Sequence, residues 1–313
     1  MPQVAVTGVN DQSAAVQAML DDWRLAADLL GGTKAMRAAG TRRLPRWPKE
    51  ELDAYSTRLG TAVLFPAYQR TVQTLSGKPF SKPITFGEDI DDRMREWLAD
   101  IDLEGRNLDA FAADVFEGAM GYGLGGIFVE YPRRSDAVRT QAQEAAAGLR
   151  PYWVHIHASQ ILGWRQEKIG GAWQLTQLRF MEMVEVPDGE WGTKLVEQVR
   201  VLSIGAWQTW RAAETDGGAF TLFEEGVTTL RRIPFVPVQA GRIAFMVSRP
   251  PLIEVAHLNV SHWQSASDQQ TILHVARVPI LAAFGIEDEA WTLTVGASVA
   301  SKLPACAPTA SAP

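Results

Sequence analysis

One long stretch late in the chain, residues 249–285, constrains the fold more than any other. It opens with Pro250 and Pro251, and helix-compatible residues then follow as far as Pro279, which cannot continue a helix. A helix of about twenty-five residues is roughly 37 Å long at 1.5 Å per residue. We therefore predict one long helix here, and the pattern of its apolar residues indicates what it packs against.

The apolar residues of this predicted helix change face halfway along. The first half has one apolar stripe, made of Leu252, Val255, Ala256, Val260, Trp263 and Ala266. After Asp268 a different face is apolar, made of Ile272, Leu273, Val275 and Ala276. Such a helix has two sets of neighbours, as expected if it leaves its own domain to pack against something else. An ordinary surface helix with a frayed second half fits the pattern equally well.

The composition indicates an acidic, globular chain. Of 313 residues 46% are hydrophobic and 21% charged, and the formal net charge is −6. This charge argues against a protein that grips nucleic acid by neutralising phosphates, but not against one that DNA only passes. The single Cys306 excludes an intrachain disulfide and fits a reducing compartment. No apolar run approaches the eighteen or so residues that span a bilayer, so we expect a soluble protein.

Helices are predicted first along the chain and strands after them. We expect helices over Val16–Leu30, from Pro48 to Gly77 with a kink at Pro66, from about Glu88 to Ile101, and after the N-cap Asn107. The second helix is expected to bury Leu52, Tyr55, Leu59, Val63 and Tyr68. Alternating segments then predict antiparallel strands up to IPFVPV, whose two prolines suit a sheet edge or a crossing connection. This order predicts the α+β class.

Gly121, Gly123 and Gly126 match the G-x-G-x-x-G fingerprint of dinucleotide-binding folds. That motif requires a strand before the glycines and a helix after them. Here the predicted helix comes first and the strand IFVEY follows. We therefore interpret the glycines as a helix C-cap and a tight helix-to-strand turn, and we expect no nucleotide cofactor.

His155 and His157 are the one candidate for metal or catalytic chemistry. Alternate residues of a strand point to the same side, so the two imidazoles could share a metal ion. A third ligand is missing locally, no G-x-S-x-G nucleophile turn occurs, and Cys306 lies in a Pro/Ala-rich tail. We interpret the histidines as core or surface residues and expect no catalytic activity, metal or cofactor.

The order of several segments resembles that of tailed-bacteriophage portal proteins. EELDAYSTRLGTAVLFPAYQRTVQTLSGKPF looks like the early portal helix, and DLEGRNLDAFAADVFEGAMGYGLGGIFVEYP like the helix–glycine–strand unit after it. RPYWVHIHASQILGWR resembles the wing sheet, and RRIPFVPV with PPLIEVAHLNVSHWQSASDQQTILHVARVPILAAFG resembles the entry into the first stem helix. The likeness spans roughly Trp23 to Leu303 and points to a portal branch long catalogued only as a domain of unknown function.

This resemblance implies a homo-oligomeric ring, usually of twelve subunits, at one vertex of the capsid. Such a ring packages and ejects DNA and joins head to tail, with terminase, a head–tail adaptor and capsid or scaffold proteins as partners. It belongs to the virion and assembles in the host cytoplasm. DNA would pass through it without specific binding, which suits an acidic chain with few basic clusters.

The resemblance also implies a division of the chain: N-terminal helices, a mainly antiparallel β-rich wing-like region and a long stem-like helix. The segments are 1–132 for the helical part of the wing-like domain, 133–148 for a flexible Ala-rich connector, 149–248 for the β-rich region, 249–278 for the stem-like helix, 279–303 for the start of a clip-like region and 304–313 for a low-complexity tail. The residues expected to pack between the wing and the stem are Leu252, Val255, Ala256, Val260 and Trp263. Contact with an adjacent subunit falls to Leu258, Ile272, Leu273 and Ala276.

One departure from the portal pattern concerns the end of the sequence. Portal chains continue through a clip, a second stem helix and a crown, whereas this sequence ends in a low-complexity tail. We therefore expect a C-terminally truncated portal, which can be inactive and would expose apolar surface on its stem-like helix. Two alternatives stay open: a monomeric protein-interaction module with a tryptophan-rich sheet and, less favoured, a metal-dependent hydrolase using His155 and His157.

Overall fold

The computed structural model describes residues 8–87, 90–132, 140–212 and 219–277, together with 282–283 and 301–302. Helices come first, antiparallel sheets follow and a long helix comes after them, so the predicted α+β class is confirmed. Within these ranges no helix is long and apolar enough to cross a lipid bilayer.

The helices begin and end largely where capping residues place them. Their bounds are α1 (Ala14–Leu30), α2 (Gly32–Ala39), α3 (Leu52–Thr61), α4 (Ala67–Gly77), α5 (Asp92–Ala99), α6 (Leu108–Tyr122), α7 (Gln141–Ala146) and α8 (Ile253–Ala276). The Ser13 hydroxyl caps α1 by accepting from the Val16 N–H at 3.4 Å. The Asn107 side chain caps α6 in the same way, through the Ala110 N–H at 2.9 Å. Both helices match the sequence prediction.

The single kinked helix predicted from Pro48 to Gly77 is wrong. The structure has two helices there, with Ala62 extended after α3 and Pro66 directly before α4. Proline has no N–H for a helical hydrogen bond and disfavours helical backbone in the residue before it, so the run breaks instead of kinking. The predicted stripe is confirmed at Tyr68, which is buried, and is wrong at Leu52 and Val63, which are exposed. Tyr55 and Leu59 are half-buried, and Arg58, which is not in the stripe, is buried.

Two other predicted segments differ in their bounds. The helix expected from Glu88 begins at Asp92, because the Asp91 carboxylate caps it by accepting from the Arg93 N–H at 3.1 Å. Glu88 and Asp89 lie outside the described residues. The predicted connector 133–148 contains α7, and its residues 133–139 also lie outside the described part of the chain.

The strands form two main antiparallel sheets. Their bounds are β1 (Leu124–Glu130), β2 (Tyr152–His157), β3 (Ile161–Ile169), β4 (Ala172–Asp188), β5 (Gly192–Ser203), β6 (Ala206–Ala212), β7 (Phe220–Val227), β8 (Phe235–Gln239), β9 (Arg242–Ala244), β10 (Val247–Ser248), β11 (Ala282–Ala283) and β12 (Ser301–Lys302). One sheet has the order β2-β1-β8, and the other runs β3-β4-β5-β6-β7 in chain order. β8, which carries Pro237, is an edge strand, as its prolines predict.

The main hydrophobic core joins α1 to both sheets. Its members come from α1, from β1, β2 and β8 of the small sheet, and from β3, β4 and β5 of the large sheet. The largest of them are Trp23, Phe128, Ile156, Ile161, Leu178, Phe180 and Phe235. The alternation read from the sequence therefore places one face of each sheet against this core.

The glycine-rich end of α6 forms the turn that its sequence predicts. Gly123 ends the helix with a left-handed φ of 81°, and its N–H donates to the Ala119 carbonyl at 2.8 Å. β1 begins at the next residue. Further along β1, a Cβ on Gly126 would lie only 2.1 Å from Cζ of Phe235, so the aromatic ring of β8 occupies the place of a side chain.

The described chain divides into two compact units that interleave in sequence. The sheet unit contains residues 1–32 and 66–257, and the helical unit contains residues 33–65 and those from 258 onward. The division falls within α8, between His257 and Leu258. The segments expected from the sequence are consecutive instead, and their boundaries stay predictions.

We expect Gly126→Ala to destabilise the sheet unit by about 1–3 kcal/mol, because its methyl group would overlap the Phe235 ring. Urea unfolding followed by near-ultraviolet circular dichroism measures the change. Gly125→Ala is the control, since a Cβ there meets its nearest atom, the Ile156 carbonyl oxygen, at an ordinary 3.4 Å. Equal destabilisation by the two variants would contradict the close packing of Phe235 on β1.

Candidate functional site

The buried side of α8 contains polar residues as well as the predicted apolar ones. Its fully buried residues are Ile253, Ala256, Asn259, Trp263 and Ser267. Of the residues predicted to pack between wing and stem, Ala256 and Trp263 are buried, and Leu252, Val255 and Val260 are half-buried. Their role in joining wing to stem stays a prediction.

Side-chain hydrogen bonds hold α8 in the helical unit. The Asn259 amide donates to the Phe65 carbonyl at 2.9 Å, and the Gln264 amide donates to the Arg43 carbonyl at 2.9 Å. Both carbonyls belong to the segment 33–65. A buried amide with a partner costs little, so these bonds explain how polar residues occupy the packed side of the helix.

The other sides of α8 expose apolar residues. Leu258, Ile272 and Leu273 are 71%, 65% and 41% exposed, and Ala276 is exposed too. These four residues are the ones predicted to contact an adjacent subunit. The side chain of Val275 lies outside the described part of the chain. None of the other side chains from Asp268 to the end of α8 is buried. Among the described residues, therefore, none buries the apolar side chains of the last turns of α8.

Arg58 is the buried charge that organises the helical unit. Its guanidinium donates to both carboxylate oxygens of Glu50, at 2.7 and 2.8 Å, and to the Pro45 carbonyl at 2.8 Å. Asp268 of α8 lies 3.6 Å from the same group. Hydrogen bonding to Arg58 holds the pKa of Glu50 below its ordinary value despite burial, which acts the other way. A bidentate pair of this kind fixes both side chains in one geometry.

A turn beside Arg58 forms one wall of an apolar groove. The Glu50 N–H donates to the Trp47 carbonyl at 3.1 Å, with Pro48 and Lys49 between them, and Lys49 has a φ of 92°. Proline followed by a positive φ is the pattern of a type II turn. The Trp47 indole stacks on the guanidinium, whose central carbon lies 4.2 Å from the ring centre.

This groove lies wholly within the helical unit and has a volume of about 620 Å³. Its lining is mainly apolar and includes Trp47, Pro48, Ala54 and Thr271. We call it the Trp47 groove. Because Arg58 packs beneath Trp47 and is held by four oxygen atoms, the groove is formed before anything binds to it.

The two histidines of β2 line a cleft in the sheet unit. The ring centres of His155 and His157 are 4.0 Å apart, as expected for alternate residues on one side of a strand. Gly118 of α6 faces both rings, and a Cβ there would lie 3.1 Å from Cε1 of His155. The cleft has a volume of about 610 Å³ and is lined further by Asp102, Glu104, Arg106, Asp114 and Glu117.

The electrostatics of this cleft keep both histidines neutral. Burial is the main cause that lowers the pKa of His155 to about 4, and the neighbouring His157 and Arg106 act in the same direction. Burial also lowers the pKa of His157, although Asp114 opposes it. Nε2 of His155 is buried without a hydrogen-bond partner among the described residues.

Among the described residues, the fold brings no third metal ligand to His155 and His157. Arg106 pairs with Asp102 and, at 2.9 Å, with Asp114, so a cation already occupies the acidic side of the cleft. In the described ranges no group of three or more His, Cys, Asp or Glu side chains is arranged to hold a metal ion. The two imidazoles share a face, as predicted, without completing a coordination site.

Sequence patterns missed several of these residues. Glu50 lies eight residues before Arg58 and Asp268 is far from both in sequence, and no sequence pattern distinguishes the three from ordinary surface charges. Lys49 follows a proline, which was a usable signal for a turn. The burial of Asn259 and Ser267 could not be read from an apolar pattern, because that pattern treats every polar residue as exposed.

Comparison with known proteins yields one match to a part of the chain. A family model described as "Domain of unknown function (DUF4055)" matches residues 251–311, a stretch that contains the whole of α8. No curated protein matches the chain.

Replacing Arg58 by Met tests the buried charge network. We expect Arg58→Met to destabilise the helical unit by about 3–5 kcal/mol, because it leaves the Glu50 carboxylate buried without its partner. Urea unfolding measures this change. The control is Arg24→Met, which removes an exposed arginine 3.8 Å from Asp21 and should cost under about 1 kcal/mol. A similar small effect at both positions would contradict the role of Arg58.

The histidine cleft predicts a pH dependence of stability. The unfolded chain takes up a proton at His155 near its ordinary pKa of 6.5, whereas the folded chain does so only near 4. Stability is therefore complete above pH 6.5 and falls as the pH drops towards 4. Between pH 7 and 4.5 we expect wild type to lose about 2 kcal/mol more than His155→Gln, after allowing for solvent at the open cleft.

Unfolding free energies measured at several pH values give this difference. His257→Gln, a change at an exposed histidine of α8, is the control and should follow the wild-type curve. A parallel pH dependence in wild type and His155→Gln would show that His155 is not held neutral by the fold.

Proposed function

We propose that this chain is a structural subunit of a tailed-phage portal, which forms a ring at the capsid vertex through which DNA is packaged and ejected. The observation that carries the proposal is the second half of α8. Its apolar residues Ile272 and Leu273 are exposed although they lie on a regular helix. A helix end without apolar burial is marginal in water, so a partner surface is needed to stabilise it.

The order of elements supports the same proposal. The helix–glycine–strand unit, the antiparallel sheets and the long helix occur in the order that the portal resemblance requires. The matched family model has a description of unknown function and covers the segment that resembles the entry into the stem helix. The ring, its partners terminase, head–tail adaptor and capsid or scaffold proteins, and its place in the virion all belong to this proposal.

The charge of the chain suits a channel that DNA passes without binding. Each phosphate that a protein neutralises releases counterions and adds affinity, which would slow sliding. A chain with 36 acidic and 30 basic residues avoids this affinity. The proposal therefore assigns the protein no sequence-specific contact with DNA.

A monomeric interaction module is the second candidate, favoured by the exposed tryptophans Trp173 and Trp191 of the large sheet. Such a module would bind another protein through the sheet and would stay monomeric. Native mass spectrometry of the purified chain separates the two candidates, because the portal proposal requires a closed oligomer and the module does not.

Charged substitution on α8 tests the portal proposal. We expect the double variant Ile272→Asp and Leu273→Asp to abolish ring assembly while the monomer stays folded, because both side chains are exposed within one chain but would be buried between copies. Negative-stain electron microscopy detects the rings, and circular dichroism shows whether the monomer is folded.

A matched double variant controls for added charge. Ile243 and Leu222 are 69% and 44% exposed, close to the values for Ile272 and Leu273, but they lie on β9 and β7 of the sheet unit. Ile243→Asp with Leu222→Asp should leave ring assembly unchanged. Rings that persist in the α8 variant would refute the assignment of Ile272 and Leu273 to a subunit contact.

A further inference from the structure

The hairpin of β4 and β5 extends beyond the rest of its sheet. β3 pairs with β4 only as far as Phe180, and β6 pairs with β5 only from Gln198 onward. Between these points, residues 181–197 form a two-stranded ribbon, and no other strand of the described chain pairs with it. Its base continues into the five-stranded sheet, so the ribbon is anchored at one end, and its two strand edges are open to a partner.

The tip of this ribbon is aromatic and acidic. Trp191 lies in the loop between the strands and is 91% exposed, with Asp188 and Glu190 exposed beside it. Met183 and Leu195 are exposed lower on the ribbon. A tryptophan presented on a hairpin tip is the kind of rigid apolar group that anchors protein interfaces.

The Trp47 groove has the complementary chemistry. Its apolar walls can accept an indole, and its volume of about 620 Å³ lies within the range of sites that enclose small ring systems. Lys49 lines the groove and Arg46 is exposed in the same turn segment. Two acidic residues line the groove as well: Glu50 is paired with Arg58, and Glu51 is exposed. The positive charge is therefore confined to the side formed by residues 46–49, where it is opposite in sign to Asp188 and Glu190.

We infer that the ribbon tip of one copy docks into the Trp47 groove of the next copy. The inference rests on the proposed ring function, because it requires copies of this chain to associate. Trp191 enters the groove, and the carboxylates of Asp188 and Glu190 lie against Lys49 and Arg46. Two unlike surfaces on one chain form a head-to-tail contact, which repeats from copy to copy and closes into a ring when the rotation permits.

Both surfaces are ordered before they meet, which favours binding. The groove is fixed by the bonds of Arg58, and the ribbon is fixed by the β4–β5 ladder from Met181↔Val199 to Asp188↔Gly192. Little conformational freedom is then lost on docking, so a modest contact can add usefully to the one made by α8.

Two tryptophan variants of the full-length chain test the contact. Trp191→Ala should weaken self-association at least about tenfold, as for an anchor residue buried at an interface. Trp173→Ala is the matched control: it changes the same residue type, 58% exposed, at the start of β4 and away from the ribbon tip. It should change self-association less than about twofold. Sedimentation velocity over a concentration series measures both.

A charge exchange tests the partner. Asp188→Lys with Glu190→Lys, and Arg46→Glu with Lys49→Glu, should each weaken self-association because each makes the facing surfaces repel. An assembly in which the two variants alternate has opposite charges at every contact, so mixing them should restore assemblies, as native mass spectrometry would detect. Mixed assemblies that form no better than either variant alone would overturn the pairing.

Cross-linking separates this inference from the proposed function. In a Cys306→Ser background, Trp191→Cys on one copy and Ala54→Cys on another should form a disulfide-linked dimer only when the two are mixed. If wild type forms rings but Trp191→Ala forms them equally well and no cross-link appears, the ribbon contact is wrong and the portal proposal stands. If wild type stays monomeric throughout, both fail.

Discussion

The C-terminal end of α6 is the constraint on which the sheet unit depends. The last carbonyls of a helix have no partner within it and need donors from elsewhere. Here the Tyr68 hydroxyl donates to the Gly121 carbonyl at 2.6 Å, and the Trp23 indole N–H donates to the Tyr122 carbonyl at 3.0 Å. At Gly123 a side chain would meet the backbone of Pro250 at 2.8 Å. Thus α1, α4 and the chain before α8 all approach one turn closely, and only glycine leaves them room.

The helical unit depends on a different interaction, the buried guanidinium of Arg58. A buried ion pair contributes little net stability when it is intact, but it is costly to break, so it specifies geometry more than it adds free energy. Here it fixes the turn 47–50, the Trp47 indole and Asp268 on α8 relative to one another. The rigid groove that results contrasts with the end of α8, where Ile272 and Leu273 are exposed in the part of the chain that the structure describes.

These features combine into one view of function. The exposed helix end and the preformed groove of the helical unit, and the projecting ribbon of the sheet unit, are each suited to contacts with other copies of the chain. The histidine cleft, by contrast, holds neutral imidazoles beside an arginine that is already paired with two carboxylates, so its clearest consequence is for stability at low pH. The proposed function therefore rests on the surfaces of the protein.

Local rules in the sequence were enough for the α+β order, the cap at Asn107, the glycine turn at Gly123 and the edge position of β8. Each of these depends on a side chain, a missing N–H or a φ angle acting within a few residues. Tertiary structure alone decided three other features. Arg58 is buried, α8 packs through Asn259, and β4 and β5 extend beyond the strands that pair with them. Those outcomes depend on contacts between separate segments of the chain. A polar group can be buried only where the fold supplies its hydrogen-bond partner.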